Sequence, residues 1–289
     1  MGAHKTATTR LQACLELLRA PLSARNIEYL NVTSSRNLFD PDLRRAGNGK
    51  ISVADAISAI RQRGASAVPW DCDIILSYEN ALGGLRDVLS PGPVGYAQAP
   101  SRLRVIEGVF AEWDIKIFYG VREFGSFFSS AYSETARSHE TRLPEEVSSA
   151  LAADHMSWSN LLERLTKVHR GGEIQVFRHE DYRKHEREIL QLVSGLPAEL
   201  IADLPSDDYH GSLSMLAARA IVKARPFTNP KRYREKVAFS KALEAAFPVT
   251  PDNPKVNLWT PEQRSRLEVK YQEDLNRLEA MPGVNLLTF

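Results

Sequence analysis

Gly2-Ala3-His4-Lys5-Thr6-Ala7-Thr8-Thr9 runs directly into a stretch whose leucines, Leu11, Leu15, Leu18 and Leu22, recur at helical spacing, with Cys14 on the same face. Small residues that open a helix leave several backbone N–H groups without intrahelical acceptors. The helix dipole adds positive potential at that end, so the octapeptide reads as an anion cradle. Lys5 supplies a point charge, and Thr6, Thr8 and Thr9 supply hydroxyl donors. Nucleotide kinases use the same physics with the spacing Gly-x-x-x-x-Gly-Lys-Ser/Thr. Here Lys5 is three residues past Gly2 and His4 precedes it, which excludes that motif. The plain alternative is a threonine-capped helix.

Working outward, four short segments rich in Ile, Val, Phe and Tyr read as buried strands: 27–32, 73–77, 115–121 and 174–177. Helical patterns lie between them, among them 123–135 and 157–168. Strands alternating with helices predict an α/β fold with a mainly parallel central sheet covered on both faces, a three-layer sandwich. Residues 36–50 and 90–100, with their Gly, Pro and Asn, predict loops. The last part, about 205–289, reads as a helical appendage of a single domain spanning 1–289. A helix over 212–224 is interrupted by Pro226 and Pro230. A longer one starts at Pro261, with Thr260 and Gln263 as a capping box, and stops at Pro282-Gly283.

The 289 residues are 43% hydrophobic and 25% charged, which supports a sizeable core and excludes global disorder. Lys+Arg 37 against Asp+Glu 36 leaves a net charge of +1. That balance argues against coating nucleic acid or a membrane surface, so any anion site is local. Two cysteines, Cys14 and Cys72, are too few for a disulfide framework or a four-cysteine metal site. They read as buried thiols of a reducing, cytoplasmic compartment. No apolar run of 18 residues is present, so no membrane span is expected. The seven histidines show no metal-site spacing, and no metal is expected.

His4-Lys5-Thr6-Ala7-Thr8-Thr9 resembles the 5′-phosphosulfate loop, Pro/His-Lys-Ser/Thr-Gly/Ala-Thr-Thr, of the sulfotransferases that use 3′-phosphoadenosine 5′-phosphosulfate (PAPS). A second element is similar. The strand over 115–121 ends in Arg122, and Ser130 follows eight residues on, as in the pair that holds the 3′-phosphate in that superfamily. An arginine at a strand tip and a serine two turns into the next helix can converge on one phosphate. Weaker likeness extends through Ser77-Tyr78-Glu79, Glu180-Asp181-Tyr182 and Ser212-Leu213-Ser214. The variant resembles bacterial members acting on carbohydrates or small molecules.

The resemblance implies a P-loop-like fold and transfer of a sulfuryl group from PAPS to a hydroxyl or amine of a carbohydrate, lipid or small metabolite. It implies Lys5, Thr6, Ala7, Thr8, Thr9, Arg122 and Ser130 as nucleotide-binding residues, with Lys5 also catalytic. Glu79, at a strand end, is the first candidate for the base, His4 the second and His139 the third. Two other readings stand beside this one: a non-catalytic nucleotide or glycan binder on the same fold, and a P-loop-like kinase.

Departures from the pattern are specific. The Arg-Lys-Gly-x-x-Gly loop of cytosolic animal members is missing, and Arg10 stands where many relatives stack a tryptophan on adenine. The basic residues Lys223, Arg225, Lys231, Arg232 and Arg234 read either as phosphate or acceptor ligands or as a solvated helix surface. A phosphate loop in this fold follows a central strand, and only Met1 precedes Gly2. The expectation is that the natural start lies about 4–8 residues upstream, enough for one short strand.

Overall fold

The computed structural model of the chain describes residues 5–89, 95–151, 156–201, 211–228 and 233–289. The first third holds α1 (Thr8–Leu17), α2 (Arg19–Ser23), β1 (Ile27–Leu30), α3 (Val32–Gly47), α4 (Val53–Gly64) and β2 (Asp73–Leu76). The middle holds α5 (Leu85–Leu89), α6 (Ala99–Val109), β3 (Phe118–Val121), α7 (Phe124–Ser138), α8 (Pro144–Ala150), α9 (Trp158–Thr166) and β4 (Ile174–Arg178). The remainder holds α10 (His179–Tyr182), α11 (Glu186–Ser194), α12 (Met215–Thr228), α13 (Tyr233–Ala246), α14 (Pro261–Glu279) and β5 (Val284–Leu286). Among the described residues, no helix is long and apolar enough to cross a membrane.

All four expected strands form, and every strand pairing is parallel. They make two separate pieces: β1 with β2, and β3–β4–β5 in that order. Side chains alternate across the first piece as period-two geometry requires. Tyr29 and Ile75 pack with Leu11 and Leu15 of α1, whereas Leu30, Ile74 and Leu76 pack with Phe39, Ile60 and Ile106 of α3, α4 and α6. This pair of strands is therefore covered by helices on both faces. The second piece packs against α7, α9 and α14. There the Trp158 ring stacks on Phe124 at 5.6 Å and meets Phe127 edge-on at 5.0 Å.

The expected first helix is broken at Leu18 into α1 and α2. Pro21 is the cause: it has no N–H to give the Leu17 carbonyl, so the ladder cannot run through. The loop expected over 36–50 is a misreading, because α3 occupies residues 32–47. Asn31 caps it by accepting from the Ser34 N–H at 3.0 Å, and Pro41 lies inside it. An internal proline costs a helix about 3 kcal/mol. Burying Leu38, Phe39 and Leu43 contributes roughly 1.5–3 kcal/mol each, which outweighs that cost. Tertiary burial wins over local propensity here.

The C-terminal part is mostly helical, as read, and α14 carries the Thr260–Gln263 capping box. It also does what the sequence did not announce. Asp274 on α14 is 2% exposed and accepts from Ser157 Oγ, the Trp158 N–H and Ser159 Oγ, which ties α14 to the start of α9. The chain then adds β5 to the edge of β4, pairing Val284 with Ile174. Three residues are too short for a periodic signal, so nothing in the sequence marks β5.

Candidate functional site

The described part of the N-terminal loop lies on the C-terminal half of β3. Thr6 is buried, and its Oγ1 is 2.8 Å from where a Cβ on Gly120 would stand. Only glycine admits the loop so close to the strand. Lys5 and Ala7 both have φ of 63°, and Thr6 between them does not share the positive sign. Such alternation turns successive N–H groups toward one concavity, a backbone arrangement suited to anions. Ala7 is the N-cap of α1 and offers no side-chain acceptor to the first-turn amides. Thr8 is buried and lines a groove of about 420 Å³, while Thr9 is exposed.

Arg122 follows β3, and its own carbonyl is held by the indole N–H of Trp158 at 2.8 Å. Its guanidinium donates from Nη1 to the Lys5 carbonyl at 2.7 Å and from Nε to Ser126 Oγ at 3.0 Å. Lys5 Nζ reaches Glu134 Oε2 at 3.6 Å. Ser126, Ser130 and Glu134 are spaced four apart on α7 and so share one face. Ser130 lies one turn from Ser126, which bonds Arg122, and one turn from Glu134, which pairs with Lys5, and it is 9% exposed. The loop and Arg122 are thus brought together, with Ser130 on the α7 face that carries their partners.

Carboxylates balance these cations. Glu123 caps α7, accepting from the Gly125 and Ser126 N–H groups, and pairs with Arg264 at 3.3 Å. Glu180, just past β4, accepts from the Glu123 N–H and from the Tyr271 hydroxyl, both at 2.9 Å. Burial holds the Arg122 guanidinium below its ordinary value, and Glu180 and Glu123 oppose that shift. Burial, followed by the charge of Arg122, pushes the His179 imidazole down to about 4. Its Nδ1 is buried without a hydrogen-bond partner. An anion entering the cradle gains Lys5 and the loop amides, provided that Lys5 exchanges Glu134 for it.

The other expected site residues separate. Glu79 lies past β2 on the groove that Thr8 also lines, with its carboxylate paired to Arg36 at 3.1 Å. His4 lies outside the described residues. His139 follows the last turn of α7, five residues past Glu134, and its Nδ1 is bonded to Ser138 Oγ at 2.7 Å. Arg10 forms a bidentate pair with Glu186, at 2.8 and 3.0 Å, which ties α1 to α11. Arg225 is not solvated: it is 5% exposed and donates to the carbonyls of Ala136, Arg137 and His139 at the end of α7. Lys231 and Arg232 lie outside the described residues. Cys14 is buried and Cys72 half-buried, both as free thiols.

Sequence reasoning missed Ser126 and Glu134 and gave Glu180 and its neighbour His179 no role at the site. The step of four from Ser130 to Ser126 and to Glu134 was the available signal for the first two. Among the described residues no group of three His, Cys, Asp or Glu could hold a metal ion. Comparison with family models, curated proteins and solved structures finds no match for this chain.

Proposed function

We propose that this chain is a PAPS-dependent sulfotransferase on a P-loop-like three-layer α/β fold, acting on a hydroxyl or amine of a carbohydrate, lipid or small metabolite. One observation carries the reading: Arg122, just past β3, is bonded to the Lys5 carbonyl at 2.7 Å, which joins the cradle to the arginine. The residues fit a nucleotide with two separate phosphates. The loop amides, Lys5, Thr6 and Thr8 would take the 5′-phosphate side, and Arg122 with Ser130 the 3′-phosphate.

PAPS supplies a sulfuryl group; transfer forms a bond from sulfur to the acceptor oxygen or nitrogen and breaks the bond from sulfur to the 5′-phosphate oxygen. Lys5 and the cradle amides face the charge that grows on that phosphate. Glu79, on the adjoining groove, is the carboxylate assigned to take the acceptor proton. Its carboxylate is engaged by Arg36 at 3.1 Å and has to exchange that partner for the acceptor hydroxyl, which is the observation that favours the second reading, a nucleotide binder without turnover.

Titration with adenosine 3′,5′-bisphosphate and with 5′-AMP tests the proposal, alongside transfer from PAPS to a panel of hydroxyl and amine acceptors. The bisphosphate should bind at least about tenfold tighter than the monophosphate, as a charge-assisted contact implies. Arg122→Ala should remove that preference, and Lys5→Ala should abolish turnover. Equal binding of the two nucleotides to the parent protein overturns the reading. Tight bisphosphate binding with no transfer to any acceptor selects the binder.

A further inference from the structure

Glu79 has two fixed neighbours and one movable partner. Tyr78 is buried, and its hydroxyl is bonded to the Asp40 carboxylate of α3. The Asn80 carbonyl accepts from Arg102 Nη1 at 3.1 Å, and Arg102, itself buried, also donates from Nη2 to Gln98 Oε1 at 3.3 Å. The backbone that carries Glu79 is therefore tied to α3 through Tyr78 and to α6 through Asn80. The partner of its carboxylate is held less firmly. Arg36 Nη2 reaches Glu79 Oε1 at 3.1 Å from a side chain that is 47% exposed. An exposed pair of this kind adds little to stability, so it exchanges partners at small cost.

Its place in the fold says what the exchange serves. β1 and β2 run parallel with Leu30 beside Leu76. Helix α3 starts two residues past β1, and Glu79 lies three residues past β2, so both stand at the same rim of that sheet. Open parallel sheets take their ligands outside this C-terminal rim. Arg36 and Asp40 share one face of α3 at a step of four, Asp40 meeting Tyr78 and Arg36 meeting Glu79. Arg44, one further step along the face, is exposed. The face thus carries two arginines against the one acid that Tyr78 holds. Thr8, in the first turn of the cradle's helix, lines the same groove as Glu79.

A neutral acceptor that brings its hydroxyl to Glu79 has to break the pair and offers the guanidinium nothing in return. An acceptor with a carboxylate or sulfate beside its hydroxyl supplies a replacement, a charge-assisted contact that suits the planar fork of arginine. We propose that Arg36 is the specificity residue of the acceptor site: it covers Glu79 until a carboxylate or sulfate next to the acceptor's hydroxyl or amine takes the guanidinium and frees the carboxylate. The transfer step rests on the sulfotransferase reading; the anion exchange does not. In the exchange Arg36 Nη2 passes from Glu79 Oε1 to the acceptor's anion. Glu79 then takes the hydroxyl or amine proton as that atom bonds to sulfur and the bond from sulfur to the 5′-phosphate oxygen of PAPS breaks.

The test uses the full chain and a matched pair of sugars, methyl β-D-glucuronide and methyl β-D-glucoside, which differ in the carboxylate. Without nucleotide, the Arg36 Nε–H resonance should shift saturably with the glucuronide and not with the glucoside. Glu79→Gln removes the competing carboxylate and should tighten glucuronide binding about two- to fivefold, whereas Arg36→Gln should abolish it. With PAPS, the parent should prefer the glucuronide at least about tenfold in kcat/KM. Arg36→Gln should lower kcat/KM on the glucuronide and raise it on the glucoside about two- to fivefold, because Glu79 is then uncovered. An arginine that only holds α3 in place would lower both. Equal binding of the two sugars or binding of neither, a glucuronide affinity unmoved by Arg36→Gln, or a fall on both sugars in that variant overturns the proposal. Glucuronide bound through Arg36 with no transfer to either sugar supports the anion exchange and overturns the sulfotransferase reading instead.

Discussion

The Arg122 guanidinium and the Lys5 carbonyl, 117 positions apart in sequence, are joined by a hydrogen bond of 2.7 Å. The arginine therefore has a holding role as well as a charge. It fixes the loop to the tip of β3 and, through Ser126, to the first turn of α7. Removing Arg122 would disturb loop order together with the phosphate recognition proposed for it. A cleaner probe of the cradle's charge is the acid that occupies Lys5.

Glu134 is that acid, 3.6 Å from Lys5 Nζ and 3.5 Å from Arg137 Nη1. Its side chain is 38% exposed, so the pair contributes little to stability, up to about 1 kcal/mol. Glu134→Gln should leave the thermal midpoint within about 2 °C. It should also tighten binding of adenosine 3′,5′-bisphosphate roughly two- to fivefold in low salt, with the gain fading near 0.5 M salt. Calorimetric titration at two salt concentrations reads both effects. Weaker binding in low salt would show that Glu134 orders Lys5 and does not compete with the anion.

Gly120 makes a sharper structural prediction. A Cβ there meets Thr6 Oγ1 at 2.8 Å and the edge of the Phe177 ring at 3.0 Å. Gly120→Ala should destabilise by about 1–3 kcal/mol, the usual cost of overpacking. The same change in a Thr6→Ala background, where Oγ1 is gone, should cost less. Urea unfolding of the four proteins gives the coupling. Simple additivity would mean that Thr6 does not rest on this glycine.

Much of the architecture was legible because the strands are short, apolar and bounded by polar residues. Ile174 to Phe177 and Asp73 to Leu76 form as read, and Thr260 with Gln263 caps α14 because capping is local chemistry. Helix α3 was not legible, since Pro41, Gly47 and Asn48 speak for a loop, and only burial against α4 and α6 overrules them. The meeting of the Lys5 loop with Arg122 followed from motif order. What balances them did not. Glu180 and His179 reach the site through packing of β4 beside β3, and no spacing in the chain encodes a contact between such distant residues; for Glu134 the step of four from Ser130 was the available signal.

His179 then predicts how acid acts on the fold. Burial, followed by Arg122, with Arg183 and Lys5 adding smaller repulsion, holds its imidazole near 4 against an ordinary 6.5. Between those values the unfolded chain binds a proton that the native protein refuses. Stability contributed by the neutral ring is therefore full above about pH 6.5 and is lost as pH falls toward 4. Each tenfold difference in proton affinity between the folded and unfolded chain corresponds to about 1.4 kcal/mol, so the loss between pH 7 and pH 4.5 is about 1–3 kcal/mol. His179→Gln keeps a polar side chain without the titration. Urea midpoints of both proteins from pH 4.5 to 7.5 should converge at the acid end, with the variant nearly flat where the parent slopes. Parallel curves would place the acid sensitivity elsewhere.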